Sequence, residues 1–186
     1  MARPPGPRLR IVAGEFGGRR LVSPRGDAIR PSAERTREAI FSMLGPLQGE
    51  AVLDLYCGSG SLGLEALSRG AGGLSLVDTT IATAAENVDL LGVGERCELF
   101  EKDSLAFLRT TEERFDLVLC DPPYRLAHRF GSELDKLLAD RLRTGARVVV
   151  ECSPARPLEL SLPLHRERRY GAALIRIYSA AAEEPR

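Results

Sequence analysis

The sequence has no apolar run near the roughly 18 residues that cross a bilayer, and its opening, Met1-Ala2-Arg3-Pro4-Pro5-Gly6-Pro7, has no apolar core of a secretory leader. Both absences point away from a membrane and towards the cytoplasm. Histidine is scarce: His128 and His165 are the only two, and neither sits in an H-E-x-x-H or H-x-E pattern. A metal hydrolase or deaminase site has no scaffold here, and both histidines are expected at the surface or behind a site. Cys57, Cys97, Cys120 and Cys152 lie far apart without a C-x-x-C pair, so they read as reduced core thiols and no metal is expected. Net charge is also missing, with 26 basic against 26 acidic residues. What remains is ordinary for a globular protein: 186 residues, 44% hydrophobic and 28% charged, enough for one sizeable core.

The balanced total hides an uneven distribution. Up to Arg37 the chain carries Arg3, Arg8, Arg10, Arg19, Arg20, Arg25, Arg30, Arg35 and Arg37 against Glu15, Asp27 and Glu34. Such a stretch is either a solvated face or a surface that grips phosphates, because guanidinium matches phosphate oxygens in pairs. On the second reading Arg10, Arg19, Arg20, Arg30 and Arg37 are the candidate substrate contacts.

Periodicity organises the rest. Leu9 to Ala13 and Arg19 to Val22, separated by Gly14, Gly17 and Gly18, predict a hairpin. A helix is expected from Pro31-Ser32, with Ile40, Met43, Leu44 and Leu47 on one face. Strands are expected at 51–56, 73–77, 97–101, 115–120 and 147–152. Helices are expected at 61–69, at 81–91, near Leu105 and at 133–142. Alternation of this kind implies an α/β architecture, a parallel sheet covered on both faces. The tail predicts a closing antiparallel hairpin, 166–170 with 174–178 around Gly171, and then a disordered end at 181–186.

Gly58-Ser59-Gly60-Ser61-Leu62-Gly63 satisfies G-x-G-x-x-G between a strand and a helix, and Asp78 ends the next strand. Alone, that would suit a nicotinamide dinucleotide. Asp54, four residues before Gly58, argues otherwise: its carboxylate would repel a pyrophosphate but attract the ammonium and sulfonium of S-adenosylmethionine. Gly58, Ser59 and Gly60 then approach the methionine part, and Asp78 accepts the ribose hydroxyls. Asp103 and Ser104, after the third strand, are candidates for the adenine edge. Helix capping is the alternative role for Asp78 and Asp103.

The strand ending at Cys120 runs into Asp121-Pro122-Pro123-Tyr124. Two prolines make a rigid turn with carbonyls and no N–H donors. An exocyclic amine needs both N–H groups held before its lone pair can attack a methyl carbon. The Asp121 carboxylate and the Pro122 carbonyl can accept those two hydrogens, with Pro123 stiffening the turn and Tyr124 stacking on the extruded base.

These motifs occur in one order with Arg10-Ile11-Val12-Ala13-Gly14, Gly17-Gly18-Arg19, Arg30-Pro31, Arg37-Glu38-Ala39-Ile40-Phe41 and Leu64-Glu65-Ala66-Leu67-Ser68-Arg69-Gly70. The chain so resembles the RsmD family, bacterial methyltransferases of a guanine N2 in small-subunit ribosomal RNA. The resemblance implies a Rossmann-like, seven-stranded S-adenosylmethionine-dependent methyltransferase fold with an N-terminal β-hairpin extension. It puts the extension at residues 1–30 and the methyltransferase domain at 31–180. It also implies ribosomal RNA as partner, in an assembled or assembling small subunit, and we expect a monomer. The family usually has Phe-Ala where Tyr56-Cys57 stand, a Glu where Asp78 stands, and a further acid where Thr80 stands. Alternatives are an adenine-N6 or other exocyclic-amine methyltransferase, or an assembly factor that binds RNA without catalysis.

Overall fold

The structure, a computed structural model, describes residues 9–23, 31–122 and 124–180. The expected disordered end at 181–186 lies outside them. A helix α1 (Pro31–Leu44) precedes β1 (Ala51–Leu55), α2 (Ser61–Ser68), β2 (Gly73–Asp78), α3 (Ala82–Leu91), a 3-10 turn and β3 (Cys97–Glu101). Then follow α4 (Ser104–Thr110), β4 (Phe115–Cys120), α5 (Tyr124–Ala139), β5 (Leu142–Cys152), β6 (Leu164–Tyr170) and β7 (Ala173–Ser179). The seven strands form one sheet in the order β3-β2-β1-β4-β5-β7-β6, with β7 antiparallel to both neighbours and the other pairings parallel. This is the expected fold.

Strand periodicity divides the core. In β1 and β4, Val52, Leu117 and Leu119 turn to the face covered by α1, α2 and α3, while Leu53, Leu55, Val118 and Cys120 turn to the face covered by α4 and α5. A run buried on both sides reads as continuously apolar, and the pleat assigns alternate residues to separate clusters. Cys57, Cys120 and Cys152 are buried free thiols and Cys97 is half-buried.

Three expectations are corrected. The helix expected at 133–142 begins at Tyr124 and ends at Ala139. Leu142 instead opens β5, opposite Phe115, and a bulge between Phe115 and Leu117 absorbs the longer strand. The N-terminal hairpin is reduced to a single antiparallel bridge, Arg10 with Arg20, flanked by Leu21 N–H donating to Leu9 O and Ile11 N–H to Arg19 O, both at 2.9 Å. Its ladder stops because side chains of the body take the next donors. Val12 and Ala13 N–H donate to Glu65 at 2.6 and 3.0 Å, and Val22 N–H donates to Asn87 Oδ1 at 2.6 Å. Finally, Arg37 is not at the surface: 6% of it is exposed, and it donates to Ser61 Oγ at 3.2 Å and to the Arg10 carbonyl at 2.9 Å. A guanidinium enclosed in this way braces the N-terminal segment against α2 and is not presented to an RNA phosphate.

Candidate active site

The chain runs β1, β2, β3 outwards in one direction, then crosses back to place β4 on the other side of β1. That reversal opens a crevice at the carboxyl ends of β1 and β4, where open α/β sheets bind ligands. Leu55 lies opposite both Cys120 and Val77. The glycine loop, Asp78 and Asp121 therefore leave one edge of three adjacent strands, and the fold brings together segments up to 67 positions apart, Asp54 to Asp121.

Gly58 and Gly60 stand at φ 55° and 73°, left-handed conformations that a side chain disfavours. Gly60 is the N-cap of α2. The third glycine has a different task. A Cβ on Gly63 would lie 2.7 Å from Leu74 Cδ1 and 2.9 Å from Asp54 Oδ2, so only glycine lets α2 press onto β1 and β2. That close approach lets Gly63 N–H donate to Asp54 Oδ2 at 2.8 Å.

Asp54 is 2% exposed, and Gly63 is its one hydrogen-bond donor among the described residues. Burial pushes its carboxyl up to about 7; the Gly63 bond opposes that rise and repulsion from Asp78 adds to it. Asp78 is half-buried and already engaged: it accepts from Gly58 N–H at 2.9 Å and from Thr80 N–H at 3.3 Å. It shapes the loop and does not cap α3, whose N-cap is Ile81. Asp103 does cap: its Oδ1 accepts from Ala106 N–H at 3.0 Å at the start of α4. Beside it, Ser104 is buried at the start of α4 next to the Tyr56 phenol.

Asp121 is exposed at the end of β4 and Pro122 is buried behind it. Pro123, the Tyr124 side chain and Arg30 lie outside the described residues. Arg10 pairs with Glu34 at 2.6 Å; Arg19 and Arg20 are exposed, with no carboxylate partner among the described residues. Ser59 is buried and its carbonyl accepts from Asn87 Nδ2 at 2.9 Å.

Residue-level reading of the sequence misses Tyr56, Glu65 and Asn87. Tyr56 is the one described non-glycine residue at positive φ, 60°, and so turns the chain out of β1 into the glycine loop at a cost in backbone strain. Burial raises its phenol. No local signal announces that conformation. Glu65 and Asn87, fully buried, were detectable in principle as polar residues on the apolar faces of their helices.

The family described as Conserved hypothetical protein 95 matches residues 9–179. Ribosomal RNA small subunit methyltransferase D of Escherichia coli K12 is 33% identical over 187 residues, covering 95% of this chain and 92% of that protein. The chain belongs to the RsmD family. The family member of the same name from Haemophilus influenzae is 32% identical over 181 residues, 91% of this chain and 93% of its own. A solved Escherichia coli structure designated a methyltransferase, yhhF, superimposes with a TM-score of 0.82 at 31% identity, covering 95% of this chain and all of that one. The RsmD match starts at Leu9, so it takes in the N-terminal segment together with the sheet.

Proposed function

We propose that the chain transfers a methyl group from S-adenosylmethionine to the exocyclic N2 amine of a guanine in small-subunit ribosomal RNA. The observation that carries the cofactor assignment is Asp54: a carboxylate buried beside a glycine loop, at the switch point, without a compensating cation among the described residues. A dinucleotide pyrophosphate would add a second negative charge to that enclosure, whereas an ammonium would neutralise it. Names of full-length relatives support small-subunit ribosomal RNA as the substrate.

When bound, the cofactor supplies an electrophilic methyl carbon on a sulfonium. Gly58, Ser59 and Gly60 would line its methionine end, Asp54 would take the ammonium, Asp78 the ribose and Asp103 with Ser104 the adenine side. Asp121 and the Pro122 carbonyl accept the two amine hydrogens, which strips the nitrogen of conjugation with its ring and aims its lone pair across the crevice. Tyr124 supports the base by stacking. Because Asp121 is exposed, the proton released as the new N–C bond forms can pass through its carboxylate to water. Arg19, Arg20 and Arg30 hold phosphates around the base. No helix of the described residues is long and apolar enough to cross a membrane, and the reading is of a cytoplasmic monomer working on the assembled or assembling subunit.

The test has two arms. Calorimetry should find binding of S-adenosylmethionine and none of NAD; the reverse would sink the methyltransferase reading. Nucleoside mass spectrometry of small-subunit RNA, from cells with and without the gene, should differ in N2-methylguanosine. A difference in N6-methyladenosine instead would reassign the base.

A further inference from the structure

The outer strand β6, Leu164–Tyr170, is exposed at every residue from Leu164 to Arg169. It carries His165, Arg166, Arg168 and Arg169 against a single acid, Glu167, and that acid is held by Arg176 at 2.7 Å. The three arginines donate only to neutral main-chain carbonyls: Arg166 to Met43 at 3.4 Å, Arg168 to Glu167 at 2.9 Å and Arg169 to Gly171 at 3.1 Å. None has a carboxylate partner among the described residues. In a chain whose charges sum to zero overall, three guanidinium groups stand without a carboxylate partner among the described residues on one strand.

Register sets the level of that charge along the sheet, and the pleat puts Arg166 and Arg168 on one face of the edge strand and Arg169 on the other. Arg168 lies opposite Ile175, Ile175 opposite Glu151, and Val150 opposite Cys120. Asp121, the residue after Cys120, thus leaves the sheet at the level of Glu151 and Arg168. From β4 through β5 and β7 to β6 is three strand spacings, roughly 14 Å, a span that a few nucleotides cover. Of the N-terminal arginines expected to meet phosphate, Arg10 is paired with Glu34 and Arg37 is buried.

We propose that β6 is a second RNA-binding strip, in which Arg166, Arg168 and Arg169 grip phosphates of the RNA flanking the base presented to Asp121. The inference rests on the reading of the chain as an RNA methyltransferase and adds to it a surface on the opposite side of the crevice from the glycine loop. Guanidinium suits the task because it binds phosphate oxygens in pairs and stays weakly hydrated. Among the described residues, the outer edge of β6 has no neighbouring strand.

The experiment compares the native full-length chain with R166Q/R168Q/R169Q, with the corresponding triple lysine variant and with Arg114→Gln, an exposed arginine at the far end of β4. Affinity for small-subunit RNA from cells lacking the gene is measured against salt, alongside S-adenosylmethionine affinity and Tm. For the triple glutamine variant the log–log salt slope should flatten by about 2 to 3, roughly 0.7 to 0.9 per phosphate lost, and affinity should fall at least about tenfold. Cofactor affinity and Tm should hold, the lysine variant should keep most of the slope, and Arg114→Gln should match the native chain. An unchanged slope in the triple glutamine variant overturns the proposal, as does an equal loss per charge from Arg114→Gln. Loss confined to assembled subunits, with free RNA still bound natively, assigns the strip to a protein neighbour and also overturns it. If the native chain binds neither free small-subunit RNA nor the assembled subunit, the underlying reading as a ribosomal RNA methyltransferase fails instead.

Discussion

A buried carboxyl with one hydrogen-bond donor is costly to ionise, and Asp54 shows the consequence in a value of about 7. Between its ordinary value of 3.8 and about 7 the folded, cofactor-free chain keeps a proton that the unfolded chain has lost. That contribution to stability is therefore full below 3.8 and is lost as pH rises to about 7. An ammonium bound alongside favours the ionised form and reverses the preference. Affinity for S-adenosylmethionine should then climb by up to about tenfold per pH unit below pH 7 and level off above it, with proton release visible by calorimetry in buffers of differing ionisation enthalpy. Asp54→Asn should flatten that profile, and a native profile already flat across the same range would remove Asp54 from the cofactor site. At the reacting end, Asp121→Ala should lower kcat by orders of magnitude and leave cofactor affinity nearly constant, the mark of an interaction made in the transition state. Asp121→Asn keeps an acceptor and drops the charge, so residual turnover above the alanine level would identify positioning as its role. Single-turnover methyl transfer measures both. The placing of Asp54 was legible because its offset from Gly58 is fixed by a strand ending in a tight loop. The cap made by Asp103 was legible only as the alternative to an adenine contact, and the left-handed turn at Tyr56 was not legible, since it depends on where the next element begins.

Helix α2 joins the cofactor loop to the N-terminal segment, and one side chain does most of the joining. Glu65, fully buried, accepts from Val12 and Ala13 N–H and from Arg69 Nε at 2.7 Å, while the Ser68 hydroxyl accepts from Phe16 N–H at 2.9 Å and donates to Ala13 O at 2.6 Å. Removing the carboxylate leaves two enclosed N–H groups without acceptors, each costing about 1 to 3 kcal/mol. Glu65→Ala should therefore lose about 3 kcal/mol in urea unfolding with the m-value unchanged, and Glu65→Gln, which retains one acceptor oxygen, should lose less. A loss under about 0.5 kcal/mol for Glu65→Ala, the range of an inconsequential surface change, would show that the clamp holds nothing. Sequence periodicity cannot reveal such a contact, because the partners are 53 residues apart. It located β1, β2 and β4 because β-structure buried on both faces leaves compact apolar runs. It misplaced α5 because Leu134, Leu137 and Leu138 suggested a helix without indicating where the Pro-Pro turn would release the chain into it.

At the scale of the whole molecule, the boundary between extension and domain is the least independent feature. Leu9, Ile11, Phe16 and Leu21 are buried in the same cluster as Ile40, Phe41, Leu64 and Leu67, so residues 9–23 cover one face of the core while their arginines face outwards. The basic opening stretch was readable as charge, but only the fold separates Arg37, which is structural, from Arg19 and Arg20, which are exposed. Asn87 adds a second tie, donating from Nδ2 to both Val22 O and Ser59 O at 2.9 Å and so linking the segment to the glycine loop. Four buried apolar side chains are worth about 1.5 to 3 kcal/mol each before the entropy of ordering the segment is subtracted. A chain beginning at residue 24 should accordingly remain a folded sheet but melt several degrees lower, since each kcal/mol shifts Tm by about 2 to 4 °C at this size. It should also bind S-adenosylmethionine more weakly than the intact chain, because Asn87, which holds the Ser59 carbonyl of the loop, loses both of its bonds to Val22. Calorimetric melting of both chains, followed by cofactor titration well below either Tm, distinguishes this from a separable module. Equal Tm and equal cofactor affinity would mean that the N-terminal segment serves RNA alone and that Asn87 ties together parts that function independently.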